Sequence, residues 1–99
     1  MPTVIGVDSS TQSCKALVVD VDSGEITDEA SVAHPEGTEV DPQAWWDALQ
    51  QCLDRVDTSA AEAIAIGAQQ HGLVTLDSNG FVVRPALLWN DTRSAPQAD

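Results

Sequence analysis

Ninety-nine residues suffice for one domain or part of one, and 42% hydrophobic against 20% charged residues is the balance of a folded chain, not of a disordered tail. Four Lys and Arg against sixteen Asp and Glu leave a formal charge of −12, which repels phosphate backbones and anionic bilayers and excludes nucleic acid and membrane surfaces as expected partners. A nucleotide stays open, because magnesium and a nest of backbone N–H groups hold phosphate inside acidic proteins. Cys14 and Cys52 lack CxxC or Cys/His ligand spacing, so neither a disulfide framework nor a zinc site is expected. The chain opens without the charged-then-apolar pattern of a leader, and its apolar runs are too short to span a bilayer; the expectation is a cytoplasmic location.

In chain order, Thr3 to Val7 is a β-branched apolar run that stops at Asp8 and predicts a buried strand. A second run, Ala16 to Val19, reaches the turn signal Asp22–Ser23–Gly24, and Glu25 to Val32 alternates weakly as a third strand, completing a meander. Asp41–Pro42 then reads as an N-cap followed by proline at the first helical position. From Pro42 to about Val56, Trp45, Leu49, Cys52, Leu53 and Val56 form one apolar stripe, with Gln43, Asp47, Gln51 and Asp54 facing water. Ala63 to Ala68 is continuously apolar, the pattern of a central strand buried on both faces. Leu73–Leu76 and Phe81–Val83 flank an Asn-Gly hairpin signal at Asn79–Gly80, and a last run, Ala86 to Trp89, leads into polar residues. The result is an α/β chain with a mixed sheet in β-β-β-α-β order, unlike the strict alternation of a doubly wound nucleotide fold.

Neither a P-loop nor a Rossmann glycine motif is present, so any nucleotide phosphate falls to the loop between the first two strands. That loop reads Asp8–Ser9–Ser10–Thr11–Gln12–Ser13–Cys14–Lys15. Its small residues let backbone N–H groups approach phosphate oxygens, its hydroxyls add donors, Lys15 neutralises charge and Asp8 can hold magnesium through water. Taken alone, a polar hairpin turn accounts for it better. Gln69–Gln70–His71–Gly72 lies where the apolar strand ends, the place at which open α/β sheets present ligand-binding residues. Amides and an imidazole there suit a polyhydroxylated ligand; a histidine that merely closes the strand is an equal alternative. Trp89–Asn90–Asp91–Thr92–Arg93 sets a flat aromatic beside mixed donors and acceptors, and is equally a core tryptophan with a solvated helix start.

Together, in this order and spacing, Ile5–Gly6–Val7–Asp8–Ser9–Ser10–Thr11 with Lys15, Asp41–Pro42 with Trp45–Trp46, Gln69–Gln70–His71–Gly72 and Trp89–Asn90–Asp91 resemble the FGGY carbohydrate kinases, and among them the branch acting on D-xylulose. The resemblance covers essentially the whole chain. It implies a ribonuclease H-like fold of the actin and sugar-kinase superfamily, with residues 1–99 as the beginning of an incomplete N-terminal domain and a second domain absent. The implied activity is ATP-dependent phosphorylation of a ketopentose, with ATP and Mg2+ as cofactors and a homodimer of the full-length protein as an open option. By position, Asp8 assists magnesium, Thr11, Gln12 and Ser13 line the nucleotide phosphates and Lys15 lies near them. Gln70 and His71 contact the sugar, and Trp89, Asn90 and Asp91 line its pocket.

Two departures stand out. Ser10 occupies a position where many relatives have glycine, which puts the loop's backbone geometry in question. The family's catalytic base, an aspartate in a later segment, has no counterpart here, so the isolated chain is expected to turn over nothing. Other readings are a different FGGY kinase, for ribulose, gluconate or glycerol, and a non-catalytic binding domain or relic. Glycerol kinases resemble Arg-Glu at the position of Gln70–His71.

Overall fold

The computed structural model describes residues 2–98. Strand β1 (Thr3–Ser9) pairs antiparallel with β2 (Ser13–Asp20), in register from Thr3 opposite Asp20 to Ser9 opposite Cys14. Strand β3 (Ile26–Ala33) pairs antiparallel with β2, completing the expected meander. Its entry turn is built by Asp20, whose buried carboxylate accepts from the backbone N–H groups of Asp22 (2.8 Å) and Ser23 (3.0 Å). Gly24 closes that turn at φ 75°, a conformation that favours glycine.

Helix α1 (Pro42–Arg55) starts as the sequence predicts: Asp41 stays extended and accepts from the Gln43 N–H at 3.0 Å, with proline in the first turn. It packs across β2 and β3. Alternation then places Ile5 and Val7 of β1 and Cys14, Ala16 and Val18 of β2 against Ala48, Cys52 and Val56 of the helix segment, forming the core. Leu49 and Leu53 flank it, Trp45 is only half-buried, and Ala48, absent from the predicted stripe, sits at its centre. Burying a side chain such as Val18, 1% exposed, contributes roughly 1.5–3 kcal/mol.

Beyond the helix, β5 (Ala61–Ala68) runs parallel to β1, giving the sheet order β3-β2-β1-β5 and the mixed β-β-β-α-β arrangement. The expectation of a central strand buried on both faces is overturned: β5 is the sheet's edge, and Ile64 and Ile66 are 49% and 53% exposed. They align with Ile5 and Val7 on the helix side, but α1 lies mainly over β2 and β3 and leaves them about half exposed.

Two smaller departures follow. Glu39–Val40 (β4), two residues with no apolar period, pairs antiparallel with Ala86–Leu87 (β6) in a separate two-stranded ribbon, so the last apolar run does not join the main sheet. The Asn-Gly turn forms, with Gly80 at φ 85° and the Asp77 N–H donating to the Phe81 carbonyl at 2.8 Å, but its arms meet in one bridge, Leu76 to Val82, instead of two strands. A 3-10 turn, Ala95–Ala98, ends the described chain. No helix among the described residues is long and apolar enough to cross a membrane.

Candidate active site

The β1–β2 connection is a tight reversal in which Ser10 closes on Ser13, its N–H (2.9 Å) and hydroxyl (3.1 Å) both donating to the Ser13 carbonyl. Ser10 needs no positive φ, so serine in place of glycine costs the loop nothing, and its hydroxyl adds a bond glycine could not make. At the tip, the N–H groups of Thr11 and Gln12 have no hydrogen-bond partner among the described residues. A loop that tucks its carbonyls inward and leaves N–H groups outward suits an anion.

Thr11 is where the separate motifs meet. Its hydroxyl donates to Oε1 of Gln69 at 3.2 Å and accepts from the indole Nε1 of Trp89 at 2.9 Å. The Gln69 N–H, in turn, donates to the Ser9 carbonyl at 3.2 Å, extending the parallel β1–β5 ladder past its last strand pair. One hydroxyl therefore ties the loop, the end of β5 and the end of the β6 segment. Of the tandem glutamines it is Gln69, not Gln70, that reaches the loop.

Gln70 and His71 lie beyond the strand end and are exposed; among the described residues His71 is the only non-glycine with positive φ, at 62°. That conformation costs a residue with a Cβ about 1–2 kcal/mol and is found where the surroundings enforce it, often at functional sites. Gly72 and Gln69 instead border a small hollow of about 190 Å³ against Trp45, Ser9 and Val74, where the Trp45 indole N–H is enclosed without a partner.

Asp8 and Lys15 are direct cross-strand partners on the sheet face away from α1, both exposed, and Asp8's other neighbour across the sheet is Gly67, which leaves its carboxylate side open. No group of three or more His, Cys, Asp or Glu that could hold a metal exists among the described residues. An exposed single carboxylate beside a donor-rich loop fits the way magnesium is held, by one or two carboxylates with water and substrate phosphates.

Asn90 joins Thr11, Gln12, His34 and Gly37 around a cleft of about 510 Å³ beside the loop. Asp91 is differently employed. Its carboxylate accepts from Arg93 Nε (3.0 Å) and Nη2 (2.8 Å), from the Arg93 backbone N–H (2.9 Å) and from the Thr38 hydroxyl (2.7 Å), while Arg93 also pairs with Glu39 at 3.1 Å. The Arg93 guanidinium above all holds the Asp91 carboxyl well below the usual carboxylate range. With the Leu88 N–H on the Thr38 carbonyl at 2.8 Å, these bonds lock the segment that carries Trp89 and Asn90 against β4.

His34, which no sequence pattern singled out, is buried directly behind the loop. Its Nδ1 lies 2.7 Å from the Ser10 carbonyl and its backbone N–H donates to the Gln12 carbonyl at 2.9 Å.

Residues 3–99 match the family model described as "FGGY family of carbohydrate kinases, N-terminal domain". A xylulose kinase of Arthrobacter is 52% identical over 96 residues, covering 96% of this chain and all of that protein. A xylulose kinase of Streptomyces coelicolor is 54% identical over 103 residues, covering 98% of this chain but 21% of that protein. The crystal structure of xylulose kinase from Bifidobacterium adolescentis superimposes with a TM-score of 0.93 at 50% identity, over 98% of this chain and 19% of that one. The chain thus spans about a fifth of the length of the longer proteins it matches. It belongs to the FGGY family of carbohydrate kinases, in the part that forms their N-terminal domain.

Proposed function

We propose that this chain supplies the nucleotide-phosphate loop and one wall of the sugar pocket of an ATP-dependent kinase that converts D-xylulose to D-xylulose 5-phosphate in the cytoplasm. The observation that carries the reading is the meeting of loop, β5 end and Trp89 at the Thr11 hydroxyl, which puts a donor-rich turn beside a polar, aromatic-lined wall. Phosphoryl transfer is chiefly positioning and charge stabilisation, and such a junction fixes the two substrates relative to each other.

In this reading the N–H groups of Thr11 and Gln12, with the Ser13 hydroxyl, receive phosphate oxygens, and Lys15 offsets their charge. Asp8 holds water around Mg2+, which when bound would neutralise charge on the phosphates. Gln70 and His71 reach the ketopentose hydroxyls, Trp89 offers its ring face and Asn90 its amide. Asp91 stands at the pocket's edge, and its part is to fix Trp89 and Asn90 through Arg93 and Thr38. We assign no catalytic base to residues 1–99.

We also infer that in the whole protein β5 is an inner strand of a larger sheet. The continuous apolar run from Ala63 to Ala68 within it and its open edge support this, as does the length of the longer relatives. The test is to assay the whole protein that carries this chain with ATP and D-xylulose, D-ribulose, gluconate and glycerol. D-xylulose is expected to be preferred, and His71→Ala to lower kcat/KM for the sugar at least tenfold by removing hydroxyl partners. Phosphorylation of none of the four would overturn the reading.

A further inference from the structure

We propose that His34 is a positioning residue for the phosphate-facing loop, acting through Nδ1 to set the orientation of the Ser10–Thr11 peptide. The proposal rests on the reading of Ser10 to Ser13 as that loop.

A peptide unit is planar and trans, so its C=O and N–H point in opposite directions. Pinning the Ser10 carbonyl inward therefore aims the Thr11 N–H outward. His34 Nδ1 does the pinning at 2.7 Å, and because a carbonyl only accepts, Nδ1 carries the ring proton. The next carbonyl but one, that of Gln12, is drawn to the same residue by the His34 backbone N–H at 2.9 Å. The Ser13 carbonyl is occupied by Ser10. Were the Ser10–Thr11 peptide to rotate, a carbonyl dipole would face the phosphates in place of a donor, and attraction would become repulsion.

The other ring nitrogen shows that filling space does not account for a histidine here. Residue 34 is 6% exposed, and its Nε2 is enclosed with no hydrogen-bond partner. A buried acceptor without a donor is destabilising, whereas an apolar side chain of similar shape would avoid that penalty. The contact at Nδ1 is what distinguishes histidine from such a side chain. Nothing in the strand pattern demands it either, since β3 has ended at Ala33.

The two nitrogens allow a discriminating test in the whole protein. The side-chain nitrogen of asparagine lies where Nδ1 lies, and that of glutamine where Nε2 lies. His34→Asn is expected to keep the KM for ATP within about twofold of wild type, while His34→Gln raises it about fivefold to tenfold. The KM for the sugar at saturating ATP should stay unchanged in both. An active wild type in which His34→Gln has a normal KM for ATP, or in which Asn and Gln behave alike, overturns the proposal. A wild type that phosphorylates no sugar overturns the phosphate reading first. Nitrogen-15 NMR of the wild-type imidazole gives an independent check that does not depend on variants folding. An Nδ1–H tautomer whose resonance moves when ATP is added supports the proposal, and an Nε2–H tautomer overturns it.

Discussion

The segment from β1 to α1 and the segment from β5 onward carry similar apolar sequence and meet opposite fates. In the first, alternation on three strands faces a helix of matching period, and Cys14, Ala16, Val18 and Cys52 vanish from solvent. In the second, Ile64, Ile66 and Leu73 stay open and Phe81 is 69% exposed, although the run from Ala63 to Ala68 is the most continuously apolar in the chain. Hydropathy records what a segment needs to be covered by, not whether the cover lies within the same stretch of sequence. The first segment is closed by its own neighbours; in the second, Ala86 and Leu88 are the buried hydrophobics among the described residues.

This contrast can be broken by substitution. Val18→Asp places an unpaired charge in the closed core and is expected to cost about 4 kcal/mol or more, abolishing cooperative unfolding in a denaturant titration. Asp41→Ala removes the α1 cap and should lower the unfolding free energy by about 1 kcal/mol. Ile66→Asp in the 99-residue chain should change it by no more than about 1 kcal/mol, because the side chain is already half exposed to water. The same Ile66→Asp change in the whole protein is expected to be as damaging as Val18→Asp; equal tolerance in both would remove β5 from the interior of any larger sheet. A last effect concerns pH. Burial first, and the neighbouring Cys52 second, push the Cys14 thiol from 9.0 up to about 11. The folded state keeps its proton where the unfolded state has lost it, so stability is fully present below pH 9 and declines as pH rises toward 11. Unfolding midpoints measured across that interval, with Cys14→Ala as reference, check the sign. In the folded chain at neutral pH, Cys14 should also resist alkylation.

The meander and the helix were legible because their signals are local. Asp22–Ser23–Gly24 turns on the carboxylate of Asp20 just before it, and Asp41–Pro42 caps the helix start through a bond two residues away. The β4–β6 ribbon was not, since two residues at Glu39–Val40 carry no period and their partners at Ala86–Leu87 lie far along the chain. The candidate site divides the same way. The donor-rich composition of the β1–β2 loop is readable, but the hydrogen bond that joins it to Trp89 spans 78 positions in sequence. The bond from Thr11 to Gln69 likewise spans 58 positions, so nothing local set Gln69 apart from Gln70 as the residue that reaches the loop. For His34 no signal existed: a histidine before proline, at the start of an aperiodic stretch, is unremarkable until β3 brings it behind Ser10.

The bond from Trp89 to Thr11 also has a practical use. An indole that is largely in water yet tied through its N–H to the tip of the loop emits from a setting that a ligand at that tip would change. Trp45, half-buried at the start of α1, and Trp46 are the chain's other two tryptophans. Replacing both with phenylalanine would leave Trp89 as an intrinsic optical sensor, through which occupancy of the loop could be followed in real time without any added label.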